Sequence, residues 1–237
     1  MKPILYMQND PKWASHDYSA PGEKTTIKAE GCGITCAAMV IATLADKNVT
    51  PITTAEWSKQ RGYKAKGQGT YYSYFKPQGA AYGIDITMLN SANIYGSPAS
   101  KYHDLAKKSI ENGDLVIACM GKGNWTTSGH YVLWYSMEGG KVQINDPWSN
   151  KPAQTNADYN LFKSQVKFYW VVKVPDEFKE DDEVVKREKI IVNGKECEAD
   201  MIRKDGTTYI KTRDVAELLG LKVGSKGKIP VLEKKQK

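Results

Sequence analysis

The stretch GCGITCAAMVIATLA, residues 31–45, is apolar on nearly every side from Gly33 onward. A segment of that kind has no face to give to water, so it predicts a central helix buried all round. Cys32 stands just before it, between two glycines. Its thiol is therefore expected at a helix N-terminus, where backbone N–H groups and the helix dipole favour the thiolate. Gly31 and Gly33 leave room for a substrate carbonyl to approach the backbone, which makes them candidate substrate-binding positions. A single cysteine is more often a small core hydrophobe. The paired glycines and the helix start reverse that reading for Cys32. Cys36 lies inside the apolar run and Cys119 inside the apolar strand LVIACM, so both read as core; Cys197 falls in a separate region.

A nucleophilic thiol needs a base, and the chain has three histidines. His130 opens the strand HYVLWY after Ser128-Gly129. His103 lies in KYHDLAKK, a polar helical segment that reads as surface. His16 follows Trp13 in an irregular stretch and could line a cleft. Context favours His130. The strands His130–Met137 and Lys141–Asp146 form a hairpin through Glu138-Gly139-Gly140, which returns the chain towards His130. Asp146 could then hold the imidazole by its second ring nitrogen. Asn145 could do so less strongly, and spacing alone does not rank the two. Gly129, Trp125 and the aromatic run Tyr71–Phe75 are candidates for a substrate groove, although aromatics more often belong to a core.

Further helices are expected within Pro51–Gln60, with Thr53 or Thr54 as N-cap, and over Pro98–Glu111. Strands are expected at Asp114–Met120 and in VKFYWVVKV, residues 166–174. Helices come first and strands cluster later, which gives an α+β class with an antiparallel sheet. We place the first domain at residues 1–175. Residues 176–187 are acidic and without period, as in a linker. Residues 188–237 read as a small β-rich α+β domain, with turns at Asn193-Gly194 and Asp205-Gly206. Its helix, Thr212–Leu219, is capped by Thr212, stopped by Gly220 and followed by one strand. A unit of that size buries little core, so it should pack on a neighbour or form a homo-oligomer.

The 237 residues are 41% hydrophobic and 26% charged, as in an ordinary globular protein. No apolar run is long enough to span a membrane, and no secretory signal opens the sequence. The net charge of +7 is spread along the chain rather than gathered in basic blocks. That argues against nucleic acid as partner and fits attraction to an anionic polymer such as a bacterial wall. The four cysteines lack CxxC spacing, no carboxylate cluster suggests a metal, and no Gly-rich loop suggests a phosphate. No cofactor is expected.

Four ordered pieces, YMQNDPKWA (6–14), GCGITCAAMVIATL (31–44), SGHYVLWY (128–135) and INDPW (144–148), resemble the bacteriocin-processing-type cysteine peptidases. The nearest branch is the stand-alone peptidase-like group of bacterial secreted proteins and phage lysins. The resemblance covers residues 1 to about 174 and implies a papain-like fold. It also implies Cys32 as nucleophile, His130 as base, Asp146 rather than Asn145 as its orienter, and Gln8 as a donor to the oxyanion. The chain departs from the family pattern at Ile34 and at Thr35-Cys36. Residues 190–223 resemble the copper amine oxidase N-terminal-like module, but contain no histidine, so no copper is expected. Such modules imply wall attachment. Together the two parts resemble a phage endolysin: a hydrolase held in the host cytoplasm until release, then cutting peptide or amide bonds of cell-wall peptidoglycan. The alternatives are a processing peptidase that removes a leader, and a wall-binding protein with a dead site.

Overall fold

The computed structural model describes residues 1–179, 185–204, 207–226 and 229–234. Contacts divide the chain into two units, Met1–Lys179 and Glu180–Lys237. The expected Asp205-Gly206 turn, and residues 180–184 of the expected linker, lie outside the described residues.

In the first unit, one turn of helix α1 (Ile27–Glu30) leads through Gly31 into α2, Cys32–Leu44. Helix α3 follows at Pro51–Gln60. Its cap is Thr50, not Thr53 or Thr54. Proline has no N–H to satisfy and suits the first helical position, so the helix starts at Pro51. Thr53 closes a capping box by accepting the Thr50 N–H at 3.3 Å. Thr54 instead donates its hydroxyl to the Ile34 carbonyl at 2.8 Å, tying α3 to α2.

A short hairpin, β1 (Lys64–Ala65) and β2 (Gly69–Thr70), precedes α4 (Phe75–Ala80), β3 (Ile86–Met88) and α5 (Lys101–Glu111). Next come β4 (Leu115–Met120), β5 (His130–Glu138), β6 (Lys141–Asn145), α6 (Pro152–Thr155) and β7 (Asn156–Asp158). The unit closes with α7 (Tyr159–Gln165), β8 (Val166–Val172) and α8 (Asp176–Lys179). Six strands form one antiparallel sheet in the order β3-β8-β4-β5-β6-β7.

Both faces of this sheet are covered. Ile117, Tyr131, Leu133 and Trp170 join the α2 residues Ile34, Met39 and Ile41 in one core. Val116, Val132, Trp134 and Tyr169 join Ala106 and Ile110 of α5 and Phe162 of α7 in the other. Antiparallel strands with one wet face alternate apolar and polar residues. Here neither face is wet, which is why LVIACM and VKFYWVV run unbroken. Helix α2 packs against α3, α4, β2 and β5. Being enclosed by all four, it is apolar all round. The whole is α+β, with a buried helix at its centre.

The second unit holds β9 (Lys186–Val192), β10 (Lys195–Lys204) and β11 (Thr207–Ile210) in an antiparallel sheet. Asn193, at φ 51°, and Gly194, at φ 76°, make the β9–β10 turn. Helix α9 (Thr212–Leu218) follows, then β12 (Leu221–Lys226) and β13 (Ile229–Lys234) as a hairpin where one strand was expected. Lys211 occupies the cap position and Thr212 is the first helical residue, so Thr212 caps nothing. Asp214 ties the helix to β10 by accepting the Asp200 N–H at 2.8 Å. Among the described residues of this unit only Ala199, Met201 and Ala216 are apolar and buried, while Ile191 is 75% exposed.

Candidate active site

Cys32 is the first residue of α2 and is half-buried. It lines a cavity of about 410 Å³ with Glu30, Thr70, Tyr71, Tyr72, Cys119, Gly129, His130 and Lys167. The setting is built from small residues. A Cβ on Gly31 would lie 2.4 Å from the Ile27 carbonyl, so glycine is what lets α1 turn directly into α2. A Cβ on Gly33 would lie 2.8 Å from Thr70 Oγ1, so glycine there lets β2 approach the helix. Both glycines serve the packing that places the thiol. Neither lines the cavity, whereas Gly129 does.

His130 begins β5. Its Nε2 lies 2.7 Å from Asp146 Oδ1, and both side chains are buried. The same carboxylate oxygen accepts the Trp148 N–H at 2.8 Å. With Nε2 engaged, Nδ1 is the ring nitrogen left for Cys32, whose thiol and the imidazole shift each other's titration. Asn145 is turned elsewhere: its amide donates to the Pro3 carbonyl at 3.1 Å. The last hairpin pair is Leu133 with Asn145, so Asp146 is the residue just past the strand, free to turn towards the imidazole.

Electrostatics follow from these contacts. Burial pushes the Cys32 thiol up. His130, with N–H groups of Tyr131 and Gly33, outweighs it and holds the thiol below its ordinary value. Burial likewise pushes His130 down, but Asp146 and Cys32 together raise it well above the usual imidazole range. The arrangement favours a thiolate–imidazolium pair, the form in which sulfur attacks carbonyl carbon. Cys36 has no such partner, and for Cys119 the pull of Lys167 and Tyr72 is too small to offset desolvation; burial pushes both up, Cys119 to about 12. All four cysteines are free thiols.

Gln8 is buried beside this group without lining the cavity. Its backbone N–H donates to the Pro147 carbonyl at 2.7 Å, and its Nε2 to the Lys28 carbonyl at 2.8 Å. The residue thus joins the loop after Asp146 to the turn before Cys32, and one amide hydrogen is left over. Gln8 Oε1 is buried without a partner.

Other expected positions fall elsewhere. Trp125 is not at the cavity: its indole donates to the Gln154 carbonyl at 3.0 Å and packs edge-on to Phe162 in the second core. His103 is not on the surface but buried, with Nδ1 3.0 Å from the Tyr169 hydroxyl and Nε2 3.1 Å from the Ser97 carbonyl. His16 pairs with Glu56 at 2.7 Å. Of the aromatic run, Tyr71 and Tyr72 line the cavity, while Tyr74 and Phe75 are core. Cys119 and Lys167 are among the cavity residues that carried no such expectation. Cys119 had read as core alone, and Lys167 as part of a buried strand. A lone charge inside VKFYWVV was the available signal. Among the described residues no His, Cys, Asp and Glu side chains cluster to hold a metal, and no helix is long and apolar enough to cross a membrane.

Residues 5–173 match the model of the Peptidase_C39 like family, and the chain belongs to that family of cysteine peptidases. The match ends within the first unit. Solved structures that resemble the chain include a double glycine motif protease from an AMS/PCAT transporter, in complex with its leader peptide. It is 17% identical over 73% of this chain and 93% of that one, with a TM-score of 0.43. Another is the peptidase domain of Streptococcus ComA, a bi-functional ABC transporter of a quorum-sensing pathway. It is 17% identical over 62% of this chain and 93% of that one, with a TM-score of 0.40. No curated protein matches the chain.

Proposed function

We propose that this cysteine peptidase hydrolyses peptide or amide bonds of bacterial cell-wall peptidoglycan, with Cys32 as nucleophile. The observation that carries the chemistry is an imidazole fixed by a buried carboxylate at 2.7 Å and sharing a cavity wall with a sulfur that it holds towards the thiolate. The Cys32 thiolate attacks the carbonyl carbon. The oxyanion is held by the backbone N–H groups at the start of α2 and by the second amide hydrogen of Gln8. Each such donor contributes about 10²–10³ in rate. His130 gives its proton to the leaving amine as the thioester forms. It then takes a proton from the water that cleaves the thioester. Asp146 orients the ring and stabilises its charged form throughout.

The wall as substrate is supported by the net charge of +7, which attracts an anionic polymer, and by the second unit. Residues 190–223, similar to the copper amine oxidase N-terminal-like module but without histidine, act as an accessory that keeps the enzyme on an insoluble polymer. Purified protein added to Gram-positive walls should lower their turbidity, and Cys32→Ala should abolish the loss while melting like the parent. Intact walls together with cleavage of a glycine-site leader peptide would instead make this a processing peptidase. A Cys32 no more reactive than free cysteine would make it a binding protein.

A further inference from the structure

Lys167 sits where the β4–β8 ladder breaks. Cys119 pairs with Phe168 and Met120 with Val166, so Lys167 is the extra residue of a β-bulge. The bulge changes which way its side chain points. In an unbroken ladder Lys167 would share the face of Tyr169 and Val171, the side closed by α5 and α7. Val166 takes that side instead. Lys167 is turned towards the face of Cys119 and Phe168 and lines the Cys32 cavity. Bulges re-aim side chains in this way beside active sites.

The bulge is held from outside the ladder. Buried Asn90 donates to the Lys167 carbonyl at 2.9 Å and accepts the Tyr169 N–H at 3.0 Å. The same carbonyl also accepts the Ile94 N–H at 3.2 Å. Two hydrogen bonds therefore fix the carbonyl of the residue on which the ammonium is mounted, and a third fixes Tyr169 beyond it. Its reach is short: a Cβ on Gly129 would lie 3.3 Å from Lys167 Nζ, and Gly129 precedes His130.

No carboxylate pairs with this ammonium among the described residues. Glu30, the acidic residue of the cavity, is taken by Lys64 at 2.6 Å. Cys119 faces the same space, but burial keeps it a neutral thiol, so it does not discharge the lysine. A cation in a partly enclosed cavity, with no carboxylate paired to it and with its backbone pinned, favours an anionic guest.

We infer that Lys167 is a specificity-determining residue that binds a carboxylate of the substrate close to the scissile bond, so that the preferred substrate is a peptide bearing an acidic group at that place. This rests on the reading of Cys32 as the reactive thiol.

Two alkylating reagents that differ by one charge test it on the full chain. Iodoacetate carries a carboxylate and iodoacetamide a neutral amide, and mass analysis of the Cys32 peptide gives the labelling rate of each. The attraction of His130 for an anion is common to parent and variant. The expected result is that Lys167→Met lowers the iodoacetate-to-iodoacetamide rate ratio about tenfold, with the iodoacetamide rate little changed. Lys167→Gln should repeat the loss if methionine disturbs folding, and Lys167→Arg should restore the parental ratio. Rapid labelling by both reagents with an unchanged ratio in Met and Gln variants overturns the inference and leaves the thiol reading intact. Labelling of the parent no faster than free cysteine overturns both.

Discussion

Two imidazoles are buried in the first unit, and their surroundings drive them in opposite directions. His103, on α5, meets only neutral partners, a tyrosine hydroxyl and a backbone carbonyl, and burial holds it below the ordinary imidazole value. His130 suffers the same burial, but a carboxylate and an ionisable thiol reverse the outcome. One ring is a neutral strut between α5 and the sheet. The other is surrounded by groups that favour its charged form. Desolvation therefore does not mark an imidazole as functional; the charge of its partners does.

Substituting each ring sharpens the contrast most. His130→Ala should slow alkylation of Cys32 and any hydrolysis by about 10²–10⁴-fold, because the thiolate loses its counter-ion and the leaving group its acid. Asp146→Asn should fall in the same range, by weakening the charged form of the ring. His103→Ala should leave both rates unchanged and cost about 1–3 kcal/mol of stability, since it strands the Tyr169 hydroxyl and the Ser97 carbonyl. Loss of thiol reactivity in His103→Ala, with the fold intact, would break the comparison.

The pH profile is the next test. Labelling of Cys32 should rise as pH climbs through the lowered thiol value, stay level, and change again only near the raised His130 value of about 10. Hydrolysis should fall through that upper limb, where the imidazolium has no proton left to give. In His130→Ala only the N–H groups of Tyr131 and Gly33 still oppose burial, so the single titration of the thiol should move up from its position in the parent. The pH profile of His103→Ala should superpose on the parent.

A smaller effect is expected at Gly33, in the helix that carries Cys32. Gly33→Ala places a methyl 2.8 Å from Thr70 Oγ1 and 3.2 Å from the Tyr131 ring. It should cost about 1–3 kcal/mol by overpacking, read by thermal unfolding. Thiol reactivity should fall far less than in His130→Ala.

Cys32 at the head of an apolar helix, His130 at a strand start and the intervening hairpin were legible because each is a local pattern. The Asp146–His130 contact follows from the hairpin, yet spacing left Asn145 open; only the resemblance ranked the two, and the physical reason is that the carbonyls of residues 3 and 4 occupy the Asn145 amide. His103 was misread because a helix with several lysines looks wet, and only the Tyr169 hydroxyl reveals that one face is dry. Trp125 is close to His130 in sequence, but its indole is claimed by the Gln154 carbonyl and the Phe162 ring. Lys167 was hidden for a different reason. Residue alternation assumes an unbroken ladder, and the bulge that re-aims this side chain depends on Asn90, 77 residues away. What escaped reading was set by partners far along the chain.

The stitch made by Gln8 has a consequence for the order in which the enzyme becomes dangerous. Its two hydrogen bonds reach Lys28 on one side and Pro147 on the other, and Asn145 reaches back to Pro3. Closing so wide a loop is among the slower events of folding. A ribosome-bound chain that has made Cys32 but not yet residues 145–147 has no seat for the imidazole. The triad therefore cannot assemble until two segments more than a hundred residues apart have met.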